Sequence, residues 1–134
     1  MSTSRKAEIS MEFIIFMGIL LAFFVFYFGI IGVKTRDVNE SRVFANAQDI
    51  VNQIAYEINT AARMEGYYRE FTISQKLVDR NGYSVEIDKD ARIVVIRWDG
   101  SNVISNIITD QISGNVSPGT NRIKNQGGLI IIES

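Results

Sequence analysis

An uncharged run of 21 residues, from Phe13 to Val33, constrains this chain more than any other feature of its sequence. A helix rises about 1.5 Å per residue, so roughly 20 apolar residues cross the hydrocarbon core of a bilayer. A cleavable secretory signal has a shorter apolar core of about 7–15 residues, followed by small residues at the cut. Here the run passes directly into Lys34, with no Ala-x-Ala pattern. The sequence therefore predicts a retained hydrophobic helix, and any cleavage is expected before it.

The residues just before this run form a specific pattern. Arg5-Lys6 is followed by Ala7 and then by Glu8-Ile9-Ser10-Met11-Glu12-Phe13. This order resembles the class III signal peptide of archaeal type IV pilins, in which a basic leader and a small residue precede Gln-x-Ser-x-Glu-Phe. The positions that match the motif are Ser10, Glu12 and Phe13. Glu8 departs from the usual glutamine, and an ordinary N-terminal signal anchor is the alternative interpretation.

The resemblance implies a processing step and a location. A prepilin peptidase would cut between Ala7 and Glu8, which makes residues 1–7 a leader. The N-terminus would face the cytoplasm, and the chain would pass from the cell membrane, as a precursor, into an extracellular pilus on the cell surface. Charge counting leaves orientation open, because two cations precede the run and two follow it, at Lys34 and Arg36.

Glu12 is the residue most directly tied to assembly by this resemblance. A carboxylate carried unpaired into hydrocarbon is costly, so it needs a partner there. Cleavage before Glu8 would create an α-amino group about one helical turn from Glu12. The resemblance implies that the two pair within or between subunits, so that Glu12 sets the stagger of neighbouring chains. The alternative is that Glu12 stays at the membrane interface and simply bounds the span.

The helical pattern continues beyond the membrane-type segment. Apolar residues recur at steps of three and four and form one stripe, which predicts an amphipathic continuation. The stripe consists of Val43/Phe44, Ala47, Ile50/Val51, Ile54, Ile58 and Ala61/Ala62. Asp49, Asn52, Gln53, Glu57 and Asn59 are assigned to the other faces. Gly66 predicts the end of the helix just beyond Met64.

After Gly66 the sequence changes to alternating patterns and turn signals, which are typical of short strands. The predicted strands are 67–73, 83–87, 92–98, 103–109, 111–116, 121–124 and 129–132, with turns at Asn81-Gly82, Asp88-Lys89-Asp90, Asp99-Gly100 and Gly127-Gly128 and a loop at Ser117-Pro118-Gly119-Thr120. We expect an α+β fold: a long N-terminal helix, half membrane or filament core and half amphipathic, packed against a small antiparallel sheet or sandwich. The predicted organisation is 1–7 leader, 8–33 hydrophobic helix, 34–65 amphipathic helix and 66–134 β-rich head.

Composition narrows the chemistry that this chain can perform. The net charge is −1, which provides no basic surface for nucleic acid. The chain has no cysteine and no histidine, so it lacks disulfides, Cys/His zinc ligands and a histidine-based triad. We predict no catalytic residue, no cofactor and no metal site. Asn39-Glu40-Ser41 and Asn115-Val116-Ser117 are glycosylation sequons, which makes Asn39 and Asn115 candidates for modification, although Pro118 disfavours the second.

Three functions are consistent with these features. The first is a structural pilin that assembles with identical copies into a helical filament for adhesion or surface contact, with an assembly ATPase and membrane platform as partners. The second is a minor pilin, a pseudopilin-like protein or an archaellum-associated surface component that is anchored in the membrane and does not form the bulk filament. The third is a tethered enzyme or receptor, which would need a polar cleft with convergent ionisable groups.

Overall fold

The computed structural model of the chain describes residues 2–78 and 82–134, and side chains at 2–10, 33, 35 and 36 lie outside this description. A long helix, α1, spans Ser2–Arg63. The chain divides into two compact units, Met1–Asn39 and Glu40–Ser134, and their boundary lies within α1. We refer to the second unit as the head. The uncharged run ends at Val33, whereas the first compact unit ends six residues later, at Asn39. The end of the apolar sequence and the start of the head are therefore different points on the same helix.

Within the described residues seven strands follow the helix, and each corresponds to one of the predicted strands. Their bounds are β1 Tyr68–Ile73, β2 Ser84–Asp88, β3 Ile93–Trp98, β4 Ser101–Asn106, β5 Ile112–Ser113, β6 Gly119–Gln126 and β7 Leu129–Glu133. They form a four-stranded sheet in the order β1-β6-β7-β5 and a three-stranded sheet in the order β2-β3-β4. The expected α+β fold is confirmed, and the near-continuous apolar strand β3 lies at the centre of its sheet as its composition predicts.

One pairing differs from the predicted antiparallel arrangement. Strands β5 and β7 run parallel, with Ile112 opposite Ile130 and Ser113 opposite Ile131. Two parallel strands must be joined by a segment that carries the chain back to the end of the sheet at which the first strand began. Strand β6 lies between β5 and β7 in the sequence, runs antiparallel to β7 and carries the chain back. Alternation within a two-residue strand carries no information about the direction of its partner, so the sequence pattern did not reveal it.

Two further strands begin earlier than predicted. Strand β4 starts at Ser101, because Asp99 and Gly100 both have positive φ and close a two-residue hairpin directly after Trp98. Strand β6 starts at Gly119, inside the segment that the sequence predicts to be a loop.

The side chain of Asn121 explains the early start of β6. This buried amide accepts a hydrogen bond from the Ser117 amide and donates to the Ser117 and Gly119 carbonyls. The three hydrogen bonds hold the Pro118 turn, so that pairing with β1 begins at Gly119.

The head has an apolar core to which α1 and both sheets contribute. The helix residues buried in it are Val43, Ala47, Ile50, Val51, Ile54, Ala55, Ile58 and Ala61. The predicted stripe is confirmed apart from Phe44, which is 49 % exposed and meets Trp98 edge to face at a centroid distance of 5.8 Å. The two sheets are therefore what covers the apolar side of the helix.

The helix ends at Arg63, one residue before the predicted end. Gly66 has a φ of 75° and its amide donates to the Asn125 carbonyl, so a glycine takes the left-handed conformation that redirects the chain into β1. The Asn125 side chain donates to the Ala61 carbonyl at 2.8 Å and accepts from the Gly128 amide at 2.9 Å. One buried amide thus binds both a helix-terminal carbonyl and the β6–β7 turn. Asn81 of the predicted Asn81-Gly82 turn lies outside the described residues.

Candidate assembly surface

The first unit of the chain exposes a continuous apolar helix surface. Every described side chain from Met11 to Gly32 is exposed, and the large apolar ones among them are 39–72 % exposed. Among the described residues, one helix is long and apolar enough to cross a membrane, and its apolar window has none of its residues buried. Monomeric soluble proteins rarely expose contiguous apolar patches above a few hundred Å². This surface is therefore built to be covered by lipid, by other protein, or by each in turn.

The residues of the predicted processing motif lie at the start of this surface. Glu12 and Phe13 are exposed helical residues, with Glu12 immediately before the first residue of the uncharged run. The backbone of Ala7, Glu8 and Ser10 is helical, and their side chains lie outside the description. The helix thus continues through the predicted cut between Ala7 and Glu8. Cleavage and the registry role of Glu12 stay predictions.

The two sequons lie in different surroundings. Asn39 is an exposed helical residue at the end of the first unit. Asn115 lies in the head, where its side-chain nitrogen donates to the Val85 carbonyl at 3.3 Å. That nitrogen is the atom to which a glycan would be attached, and because it carries two hydrogens, a glycan would replace one of them and leave one to donate.

The head contains a buried carboxylate that the sequence interpretation placed on a polar face of the helix. Glu57 is 3 % exposed. Its Oε1 lies 3.2 Å from Arg69 Nη1, and its Oε2 accepts a hydrogen bond from the Tyr67 hydroxyl at 3.1 Å. The assignment of Glu57 to an outer face was wrong, and a signal for its burial was present: the residue lies three positions after Ile54 and four before Ala61, which is inside the apolar stripe.

Glu57 connects α1 to the first strand of the four-stranded sheet. Tyr67 directly precedes β1 and Arg69 lies within it, so both partners reach the helix from the same strand region. Burial raises the pKa of the Tyr67 phenol; a hydrogen bond with Arg69 opposes this shift, and Glu57 adds to it. The phenol therefore stays protonated and donates to the carboxylate throughout the neutral range. These contacts orient β1 on the helix and involve no exposed reactive group.

Replacing Glu57 tests this connection. We expect Glu57→Ala to lower the free energy of unfolding by about 1–3 kcal/mol, because Tyr67 loses its acceptor and Arg69 its counter-ion. The Arg69 side chain is 54 % exposed, so solvent screens the ion pair and the loss of stability should be smaller than for a fully buried pair. Asp49→Ala, an exposed acidic position on the same helix, is the matched control and should change stability by less than about 0.5 kcal/mol. Urea unfolding of the head measures both, and equal losses would contradict a structural role for Glu57.

The head also has shallow cavities. One, of about 460 Å³, is lined by Tyr56, Asn59, Thr60, Arg63 and Met64 at the end of α1. Another, of about 280 Å³, is lined by Thr120, Arg122, Glu133 and Ser134. Within the described residues no group of three or more acidic side chains is placed to hold a metal ion. The charged groups of the second cavity are already paired, Arg122 with Glu70 and Glu133 with Lys124, on the open face of the sheet.

The chain was compared with known protein families, curated proteins and solved structures. No protein-family model, curated protein or solved structure matches the chain. Function is therefore inferred from the residues themselves and from the structure within each unit.

Proposed function

We propose that this chain is a structural subunit of an archaeal type IV pilus, which polymerises through its hydrophobic N-terminal helix into an extracellular filament for adhesion or surface contact. The observation that carries the proposal is the exposed apolar surface of α1 between Phe13 and Gly32, joined to a head with its own complete core. A membrane covers such a surface before assembly, and the same surface of neighbouring copies covers it afterwards.

The N-terminal motif supports a filament subunit over a simple anchor. An anchor requires only length and hydrophobicity, and it leaves the positions of Ser10, Glu12 and Phe13 unexplained. In a filament subunit, Glu12 has a use: it is the carboxylate at the leading border of a long uncharged helix, and an amine exposed by cleavage before Glu8 would be its partner. Each subunit would then be held in register by a charge pair that the apolar surroundings strengthen.

The proposal implies a sequence of partners. A prepilin peptidase would remove residues 1–7, and an assembly ATPase with its membrane platform would transfer the helix from lipid into the filament. The remaining contacts would be with identical copies. The head supports this assignment because it folds around the second part of α1 and leaves the first part uncovered.

The second candidate is a membrane-anchored minor pilin, pseudopilin-like protein or archaellum-associated component. It is favoured by the same helix, because a single membrane-length span anchors a head without polymerisation. The two candidates differ in abundance: the bulk subunit accounts for most of the filament mass, and the anchored component stays in the membrane.

The experiment that tests the proposal is to determine the N-terminus and intact mass of the protein in sheared surface filaments and in the membrane fraction. We expect the filament form to begin at Glu8 and the membrane fraction to contain the longer precursor. An Ala7→Asp variant, which places a charge before the cut, should accumulate as precursor, whereas Thr3→Asp, further from the cut, should be processed normally. Protein found only in membranes with residues 1–7 intact would overturn the proposal in favour of a signal-anchored surface protein.

A further inference from the structure

The apolar part of α1 has two opposite faces of different shape. Successive helical residues are rotated by about 100°, which gives each side chain a direction around the axis. From Gly18 to Gly32, the residues within about 40° of the Gly18 direction are Gly18, Ala22, Val25, Gly29 and Gly32. We call this set the small-residue face. It includes every glycine and the only alanine of the uncharged run.

The opposite side of the helix carries large rings. The aromatic residues within about 60° of the opposite direction are Phe13, Phe16, Phe23, Phe24 and Tyr27. We call this set the aromatic face. Its side chains are 53–71 % exposed. Phe23, Phe24 and Tyr27 line, with Leu20, an open hollow of about 250 Å³. Rings therefore protrude on one side of the helix, and the backbone is nearly bare on the other.

The glycines of the small-residue face have no role in packing within the described chain. A Cβ added at Gly18, Gly29 or Gly32 would meet no atom within 4 Å. Glycine in a helix interior is destabilising relative to alanine, because it loses more backbone freedom on folding. Glycines are useful between apolar helices where they allow a neighbouring helix to approach closely. The neighbour that these glycines accommodate must come from outside the described part of the chain.

We propose that the small-residue face of one copy receives the aromatic face of the next copy. The proposal rests on the proposed function and specifies the contact that builds the assembly. The five rings of the aromatic face expose on the order of 500–800 Å², which approaches the ~800 Å² that each partner buries in a stable interface. A row of protruding rings and a bare groove are complementary in shape, and two small-residue faces packed against each other, as in membrane helix dimers, are the competing arrangement.

The placement of the two faces determines the kind of assembly. Each copy offers one face to a neighbour on each side, so the contact is heterologous. Heterologous contacts close into rings or continue as open helical polymers, whereas a pair related by a two-fold axis would use one face twice and stop at the dimer. Opposite faces on parallel helices therefore lead to a polymer without any further interface.

Cysteine cross-linking tests which faces meet, because the chain has no cysteine of its own. The full chain would carry Ala22→Cys on the small-residue face together with Phe24→Cys on the aromatic face. A thiol oxidant added to membranes and to sheared filaments should convert this double variant into a ladder of dimers, trimers and larger species. Each single variant alone should remain largely monomeric. The double variant Phe26→Cys with Phe28→Cys places thiols on the two lateral faces with the same two-residue spacing and is the matched control, which should give no ladder.

A variant without cysteine provides a second readout. Gly29→Leu fills the small-residue face without a clash inside the chain, so the protein should reach the membrane in normal amount but lose assembly. Ile19→Phe enlarges a lateral position of the same helix and should assemble normally. Membrane abundance, measured by immunoblotting, separates loss of assembly from loss of insertion.

Each outcome of the cross-linking decides the proposal. Dimers from Ala22→Cys alone would show that small-residue faces pair with each other, and a ladder from the lateral pair would place the contact elsewhere; either result overturns it. If the double variant forms filaments but gives no cross-linked ladder, the proposed contact between the small-residue and aromatic faces is overturned, while the proposed pilus function stands. Ladders in membranes from cells without filaments would support the facing and contradict the pilus function.

Discussion

Replacing Gly114 with alanine is expected to destabilise the head by about 2–4 kcal/mol. Gly114 has a φ of 92°, a conformation that residues with a Cβ rarely adopt. An added Cβ would overlap the Ile132 carbonyl oxygen and would stand 3.0 Å from the Ile132 carbonyl carbon. Relief requires the backbone of β5 or β7 to shift, and β7 is held on its other side by its antiparallel pairing with β6. The parallel β5–β7 pair should therefore be lost.

Gly127→Ala is the matched control for this substitution. Gly127 also has positive φ, at 62°, but nothing lies within 4 Å of its added Cβ. The cost there is the left-handed backbone alone, roughly 1–2 kcal/mol. Urea unfolding of both variants measures the difference in their free energies of unfolding. Hydrogen exchange should also show that the Ile130 amide loses its protection in Gly114→Ala. Equal destabilisation by the two alanines would show that the close approach of Gly114 to Ile132 does not hold in solution.

Removing the first unit is expected to abolish binding to membranes without unfolding the head. A chain that begins at Glu40 retains every buried residue of the helix, of which Val43 is the first among those described. It loses the apolar run, whose insertion is favoured by roughly 5–9 kcal/mol in total. Membrane sedimentation should therefore fall to background. Unfolding should remain a single cooperative transition, followed by circular dichroism.

A shorter fragment tests where the head begins. A chain that starts at Asp49 lacks Val43 and Ala47, whose side chains are buried in the core. We expect it to be less stable than the Glu40 fragment by several kcal/mol, because each lost apolar residue leaves a cavity. If the Glu40 fragment aggregates or lacks a cooperative transition, the two units depend on each other for folding and the division at Asn39 is not a folding boundary.

Much of the local structure could be predicted because it depends on neighbours in the chain. The stripe from Val43 to Ala61 identified the buried face of α1 by its period alone. Asp99-Gly100 and Gly127-Gly128 identified two hairpin turns, and each of these four residues has the positive φ that such turns require. The exposed surface of the apolar run also followed from composition, since the chain has no second apolar segment of that length to cover it.

The features that escaped prediction depend on partners far away in sequence. Asn125 binds the Ala61 carbonyl 64 residues earlier, and Glu57 meets Arg69 across the helix and a strand. A buried carboxylate looks like any polar residue until its cation is known to be close. The motif that includes Ser10 and Glu12 differs from these contacts, because it predicts events and not a structure. Processing and assembly involve other proteins and other copies, so the fold of a single chain does not test them.

The sequence by itself determined the helix, its uncharged run, the number of strands and the apolar side of α1, because period and composition act over a few residues. Only the tertiary structure decided that β5 pairs in parallel with β7, that Gly114 must lack a side chain, and that Glu57 is buried beside Arg69. These depend on which strands lie side by side, and that choice is made by the core as a whole when α1 and both sheets exclude water together.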